Sequence, residues 1–115
     1  MAADARYLTE VLGGRLRFAI DSMGTRVAAI ELTPEPPLVL LTDHLEDERP
    51  IMVFRVPDLS AALGELESRG WERGRSLEIP HGPCCSFRGP GGHRVALYQR
   101  TRPEAADHFE GRRDF

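Results

Sequence analysis

The strongest constraint on this chain is one short apolar repeat: Leu59, Ala62, Leu63 and Leu66 recur at helical spacing. Asp58 stands just before the repeat, where its carboxylate can accept the free amide hydrogens of a first helical turn. Gly70 follows it, at the position where a helix commonly ends in a left-handed conformation. Ahead lies an apolar run of strand length, residues 51–56. Behind it, residues 71–77, 84–88 and 93–99 read as three more strands, the last two joined by the turn Gly89-Pro90-Gly91-Gly92. The predicted order is strand, helix, three strands.

The first half repeats most of that order. Residues 4–13 predict a short helix with Tyr7, Leu8, Val11 and Leu12 on one side, ended by Gly13-Gly14. Residues 15–21, 25–32 and 37–42 read as strands, with turns at 22–24 and at Pro34-Glu35-Pro36. Residues 43–49 are charged and read as a surface linker. The tail from Arg100 is polar, so partial disorder is expected, with Phe109 and Phe115 as the residues able to dock. A chain of 115 residues suits one domain. Its expected division is an incomplete first half (1–45), a complete second half (50–99) and a tail (100–115). The fold class predicted is α+β, with two β-α-β-β-β-type halves, the first lacking its opening strand.

Several function classes are disfavoured. The net charge is −3 and the arginines are scattered, so no basic stripe marks a nucleic-acid surface. No apolar run approaches the roughly 20 residues that span a bilayer. The N-terminus lacks the basic and apolar regions of a signal peptide. Cys84 and Cys85 are sequence neighbours and cannot staple distant segments. These features together predict a cytoplasmic protein with no membrane or nucleic-acid partner.

Strand alternation sorts the side chains into two faces. Val39 and Leu41, Met52, Phe54 and Val56, and Val95 and Leu97 form an apolar set, the expected helix-covered face. Leu38, Leu40 and Thr42, Ile51, Val53 and Arg55, and Arg94, Ala96 and Tyr98 form the other. A mostly apolar wall carrying a few polar groups is the usual make-up of a small-molecule pocket. On that reading Arg55 and Arg94 favour an anionic or carboxylate ligand through paired hydrogen bonds, and Tyr98, with Phe87 or Trp71 if turned inward, stacks on a planar ring. The competing reading is a plain sheet surface, with both arginines in water or in a dimer contact.

The segments Arg6-Tyr7-Leu8-Thr9-Glu10-Val11-Leu12-Gly13, Val56-Pro57-Asp58-Leu59-Ser60-Ala61-Ala62-Leu63 with Gly70, and residues 87–98 (Phe87 through Gly89-Pro90-Gly91-Gly92 to Tyr98) carry a likeness in order and spacing. The chain resembles the glyoxalase, bleomycin-resistance and extradiol-dioxygenase (vicinal oxygen chelate) superfamily. The resemblance implies paired modules whose mixed sheets curl around a concave cavity. In the metal-dependent enzymes it implies ligands on the first and last strands of each half, with the metal acting as a Lewis acid. In this sequence those positions fall at about Leu40, Ile51 and Ala96, whose side chains lack carboxylate, imidazole or thiolate donors. No metal or other cofactor is therefore expected.

The remaining candidates are weaker. His81, Cys84, Cys85 and His93 lie close in sequence, but only His81 and Cys84 have zinc-site spacing, and adjacent strand cysteines point to opposite faces. The glycine-rich turn precedes a strand and not a helix, so it lacks phosphate-loop context. The expected function is metal-independent binding of a small aromatic or anionic organic molecule, amounting to sequestration or resistance. Its ligand-binding residues are Leu40, Ile51, Val53, Arg55, Phe87, Arg94, Ala96 and Tyr98, with no catalytic residue assigned. Two alternatives stand beside it: a lyase, isomerase or dioxygenase of the glyoxalase type with an atypical metal site, and a dimerising module without ligand. The missing opening strand leaves a strand edge unpaired, so a homodimer is expected.

Overall fold

The structure, a computed structural model, describes residues 1–22, 24–44 and 49–115. Parts of the expected turn at 22–24 and linker at 43–49 lie outside the described residues. The chain divides into two compact units, Met1–Glu46 with Asp107–Phe115, and Asp47–Ala106.

In the second unit the capping residues act as their chemistry predicts. The Asp58 carboxylate accepts the amide hydrogen of Ala61 at 3.0 Å, and α2 runs Leu59–Ser68. Gly70 takes φ +89°, a conformation costly for any residue with a Cβ. Around α2 lie strands β4 (Ile51–Arg55), β5 (Ser76–Ile79), β6 (Gly82–Arg88) and β7 (Arg94–Tyr98). The sheet order is β4-β7-β6-β5, with β4 parallel to β7 and the other neighbours antiparallel. This is one β-α-β-β-β module, as the repeat predicts. Leu59 and Leu63 of α2 are buried against Cys85, with Val56, Trp71 and Leu97 packed around them. Trp71 meets Phe87 edge to face at 4.6 Å.

Two expectations for this unit change. Residues 71–75 are not a strand, and β5 begins only at Ser76. Trp71 instead bonds back to the Leu66 carbonyl, and at Gly74 an added Cβ would collide with the Ser86 carbonyl oxygen. The backbone is packed too tightly there for an ordinary alternating strand. The apolar face is also not fully covered. The ten-residue α2 packs over Cys85 and Leu97 on β6 and β7, while Met52 and Phe54 on the edge strand β4 stay 50% and 54% exposed.

In the first unit a helix precedes three antiparallel strands. Helix α1 (Ala2–Arg6) runs into a π-helical turn, Tyr7–Val11, so the expected helix 4–13 starts earlier and changes its winding. Tyr7, Val11 and Leu12 nevertheless stay exposed, at 53%, 66% and 50%. Strands β1 (Arg15–Ser22), β2 (Thr25–Glu31) and β3 (Val39–Thr42) form a sheet in that order. Its core is built from small and branched residues: Ala19, Ile20, Ala28, Ala29 and Ile30.

The tail folds with this unit instead of remaining partly disordered. Helix α3 (Ala105–Phe109) leads into a segment hydrogen-bonded beside β1, with Ala19 donating to Arg112 at 2.8 Å and Asp114 donating to Ala19 at 2.7 Å. Arg17 forms a two-pronged pair with Glu110 and a second pair with Glu31. The Phe109 ring packs on Phe18 at 5.6 Å, and Arg26 lies over the Phe115 ring at 5.5 Å. Of the two aromatic residues picked as docking points, Phe109 is packed on Phe18, while Phe115 stays 49% exposed.

Candidate functional site

Register in the second unit decides which candidate residues share a face. Directly opposed residues on neighbouring strands point the same way. One row across the sheet holds Arg55, Tyr98, Cys84 and Leu77; the next holds Val53, Ala96 and Ser86; a third holds Ile51, Arg94 and Arg88. Six of the eight expected ligand-binding residues, Ile51, Val53, Arg55, Arg94, Ala96 and Tyr98, therefore lie on one sheet face. Ala96 is buried at its centre and Val53 is half-exposed beside it.

The other two depart from the expectation. Phe87 is paired with Val95, so it sits on the opposite, helix-bearing face, where its ring is committed to Trp71. The alternation of β6 turns it away from Tyr98. Leu40 belongs to the first unit, on β3 opposite Ala29, with 55% of its surface exposed.

The rows also set the spacing of the arginines. Arg94 and Arg55 lie two rows apart, about 13 Å along the strands at a rise of about 3.3 Å per residue. Their backbone positions therefore make two separate cationic ends of the face. Among the described residues neither guanidinium has an ion pair. Arg88, opposite Arg94, adds a second cation at one end and contacts the Gly92 carbonyl. The sequence reading passed over it, although a hairpin closed by Gly89-Pro90-Gly91-Gly92, with Gly89 donating to the His93 carbonyl, sets Arg88 against Arg94. Leu77, Cys84 and Ser86 also joined the face only through register.

Electrostatics limits the chemistry available here. Burial, reinforced by Cys85, pushes the Cys84 thiol above its ordinary range, so it is protonated and a poor nucleophile. The His81 ring lies edge-on to Tyr98 at 6.4 Å. Burial holds its pKa below the usual imidazole value, with Arg100 and Arg102 adding to the effect. Among the described residues no three or more His, Cys, Asp or Glu side chains gather where they could hold a metal ion. Ile51 and Ala96 offer no donor atoms.

Two cavities occur elsewhere. The second unit has one of about 460 Å³ between α2 and the β5–β6 edge, lined by Leu59, Ser60, Leu63, Ser76, Leu77 and Cys85 among others. The first unit has one of about 340 Å³ beside Leu16, Ala19, Ala28 and Phe115. None of the eight expected residues lines either cavity.

The α+β class and the β-α-β-β-β module of the second unit are thus established by the chain's own geometry. No family model and no curated protein matches the sequence. Solved structures similar to it include the antibiotic binding protein TnmS3 from Streptomyces sp. CB03234, at 20% identity, 84% coverage of this chain, 83% of that chain and a TM-score of 0.41. A glyoxalase/bleomycin resistance protein from the same Streptomyces is 19% identical, with 86% and 91% covered and a TM-score of 0.40. The fosfomycin resistance protein FosX from Listeria monocytogenes is 11% identical, with 92% and 88% covered and a TM-score of 0.41. Another is described as a member of the glyoxalase/bleomycin resistance protein/dioxygenase superfamily, from Sphaerobacter thermophilus, at 20% identity, 86% and 88% covered and a TM-score of 0.37. No helix among the described residues is long and apolar enough to cross a membrane.

Proposed function

We propose that the second unit binds a small, elongated organic anion on the face built by Val53, Ala96 and Ser86. The planar body lies over this floor, with acidic groups met by Arg94 beside Arg88 at one end, or by Arg55 beside Tyr98 at the other. The observation that carries this reading is the placement of Arg55 and Arg94, unpaired among the described residues, at the two ends of an apolar strip. Contact is through guanidinium and phenol groups and needs no metal, since Ile51 and Ala96 cannot ligate one.

Naphthalene-2-carboxylate, titrated by calorimetry, serves as a probe. The probe has one carboxylate, so it meets one end; a hydrogen bond to a charged group contributes about 1.5–3 kcal/mol, and whichever of Arg94→Met and Arg55→Met removes that end should weaken binding at least about tenfold. The cleft beside α2 supports a second reading, because its size falls in the range of ligand pockets. Ser60→Trp fills that cleft and should leave binding unchanged. Loss of binding in Ser60→Trp, with both arginine variants unaffected, would move the site to the cleft and refute the face.

A further inference from the structure

We infer that the cleft between α2 and the β5–β6 side of the sheet is a second binding site, for a neutral, largely apolar organic molecule that carries a carbonyl. The cleft belongs entirely to the second unit and measures about 460 Å³, within the range of small-molecule pockets. Register places it on the face opposite Val53 and Ala96. Ser76 is paired with Cys85 and Cys85 with Leu97, so these three share the helix-bearing face, where Leu59 and Leu63 pack on Cys85. Pro83, two residues before Cys85, falls on that same face. The site is therefore separate from the anion face and does not rest on it.

The lining calls for an uncharged ligand. Leu59 and Leu63 on the helix side and Pro83 and Cys85 on the sheet side are apolar. Two charged residues also line the cleft, and each is engaged within the protein: Arg73 pairs with Glu67 at 2.8 Å, and Glu78 with Arg102 at 2.7 Å. An ionic ligand would have to break one of these pairs to gain a counter-charge. The anion face differs in this respect, since Arg55 and Arg94 have no ion pair among the described residues.

One polar group is left to orient such a ligand. The Gln99 side-chain oxygen accepts the Leu59 amide hydrogen at 3.0 Å, which fixes the amide orientation. Both hydrogens on Nε2 of Gln99 then have no protein partner among the described residues. Gln99 lines the cleft, so these donors match a carbonyl oxygen. The walls are also held in place. The Asp58 cap and the Gln99 bond fix the start of α2, while the Arg75 carbonyl accepts from the Ser86 amide at 2.9 Å and fixes the chain that leads into β5. A cleft formed in advance costs little ordering on binding.

The neutral probe 2-acetylnaphthalene tests the site, because it shares the ring system of naphthalene-2-carboxylate without its charge. Titrated by calorimetry into the full chain, it should bind, and saturating naphthalene-2-carboxylate should not displace it. Ser60→Trp fills the cleft and should weaken binding at least about tenfold, whereas Arg55→Met and Arg94→Met should leave it unchanged. Gln99→Glu keeps an acceptor for the Leu59 amide but removes both donors, and should weaken binding about fivefold or more. The methyl NMR signals of Leu59 and Leu63 should shift on binding while those of Val53 stay in place. If Ser60→Trp does not fold, these shifts decide. No binding, displacement by naphthalene-2-carboxylate, shifts confined to Val53, or an affinity unchanged in both Ser60→Trp and Gln99→Glu would overturn the inference.

Discussion

Replacing Leu63 by Ala tests how the second unit holds its helix. Leu63 is 4% exposed and packs with Leu59 and Cys85, flanked by Val56, Trp71 and Leu97. The change removes three carbons, which at about 0.8 kcal/mol each amounts to about 2.4 kcal/mol of lost transfer energy. A sealed void would add a cavity term and push the loss toward about 5 kcal/mol. Here the new space opens into the cleft of about 460 Å³ that Leu63 already lines, so water can enter and that term stays small. The expected loss is about 2–3 kcal/mol. Urea unfolding followed by the fluorescence of Trp71, the only tryptophan, reads this unit directly because Trp71 packs against the same cluster. A loss below about 1 kcal/mol would mean that Leu63 does not anchor α2, and a loss near 5 kcal/mol would mean a closed cavity; either result refutes the argument.

Two further outcomes follow from local chemistry. Asp58→Ala should cost about 1 kcal/mol in the same urea experiment, since it removes the bond to the Ala61 amide. The side chain of Gln99 still accepts from the Leu59 amide at 3.0 Å, so a loss well above about 2 kcal/mol would contradict a role limited to capping. His81 predicts a pH effect. Its folded pKa lies below the ordinary 6.5, first through burial and then through Arg100 and Arg102, so the unfolded chain takes up the proton first as pH falls. Stability should be level above about pH 6.5 with respect to this residue and decline from there down through the folded pKa. His81→Gln should flatten that decline in thermal unfolding midpoints, and an unchanged slope would remove His81 as its cause.

The site was partly legible because strand alternation is a local rule. Ile51, Val53 and Arg55 share a face through their spacing alone, as do Arg94, Ala96 and Tyr98, and the parallel pairing of β4 with β7 then brought the two sets together. Phe87 was misplaced because its face depends on the register of β6, and Trp71 supplied a partner on the far side. Arg88 was missed because its proximity to Arg94 arises from closure of the hairpin, not from any pattern within one strand. The separation of Arg55 from Arg94 along the strands follows from register, which face assignment does not measure.

The sequence by itself determined what depends on neighbours a few residues away. The Asp58 cap, the left-handed Gly70, the turn before β7 and the order of elements all follow from short-range hydrogen bonding and steric limits. Tertiary structure alone decided how far α2 reaches, and so why Met52 and Phe54 remain exposed on β4. It also decided where the tail goes. Arg17, Glu110, Phe18 and Phe109 are separated by about ninety positions, and no local period encodes a contact at that range. Such contacts form only once β1 presents its edge and its ring to whatever segment can satisfy both.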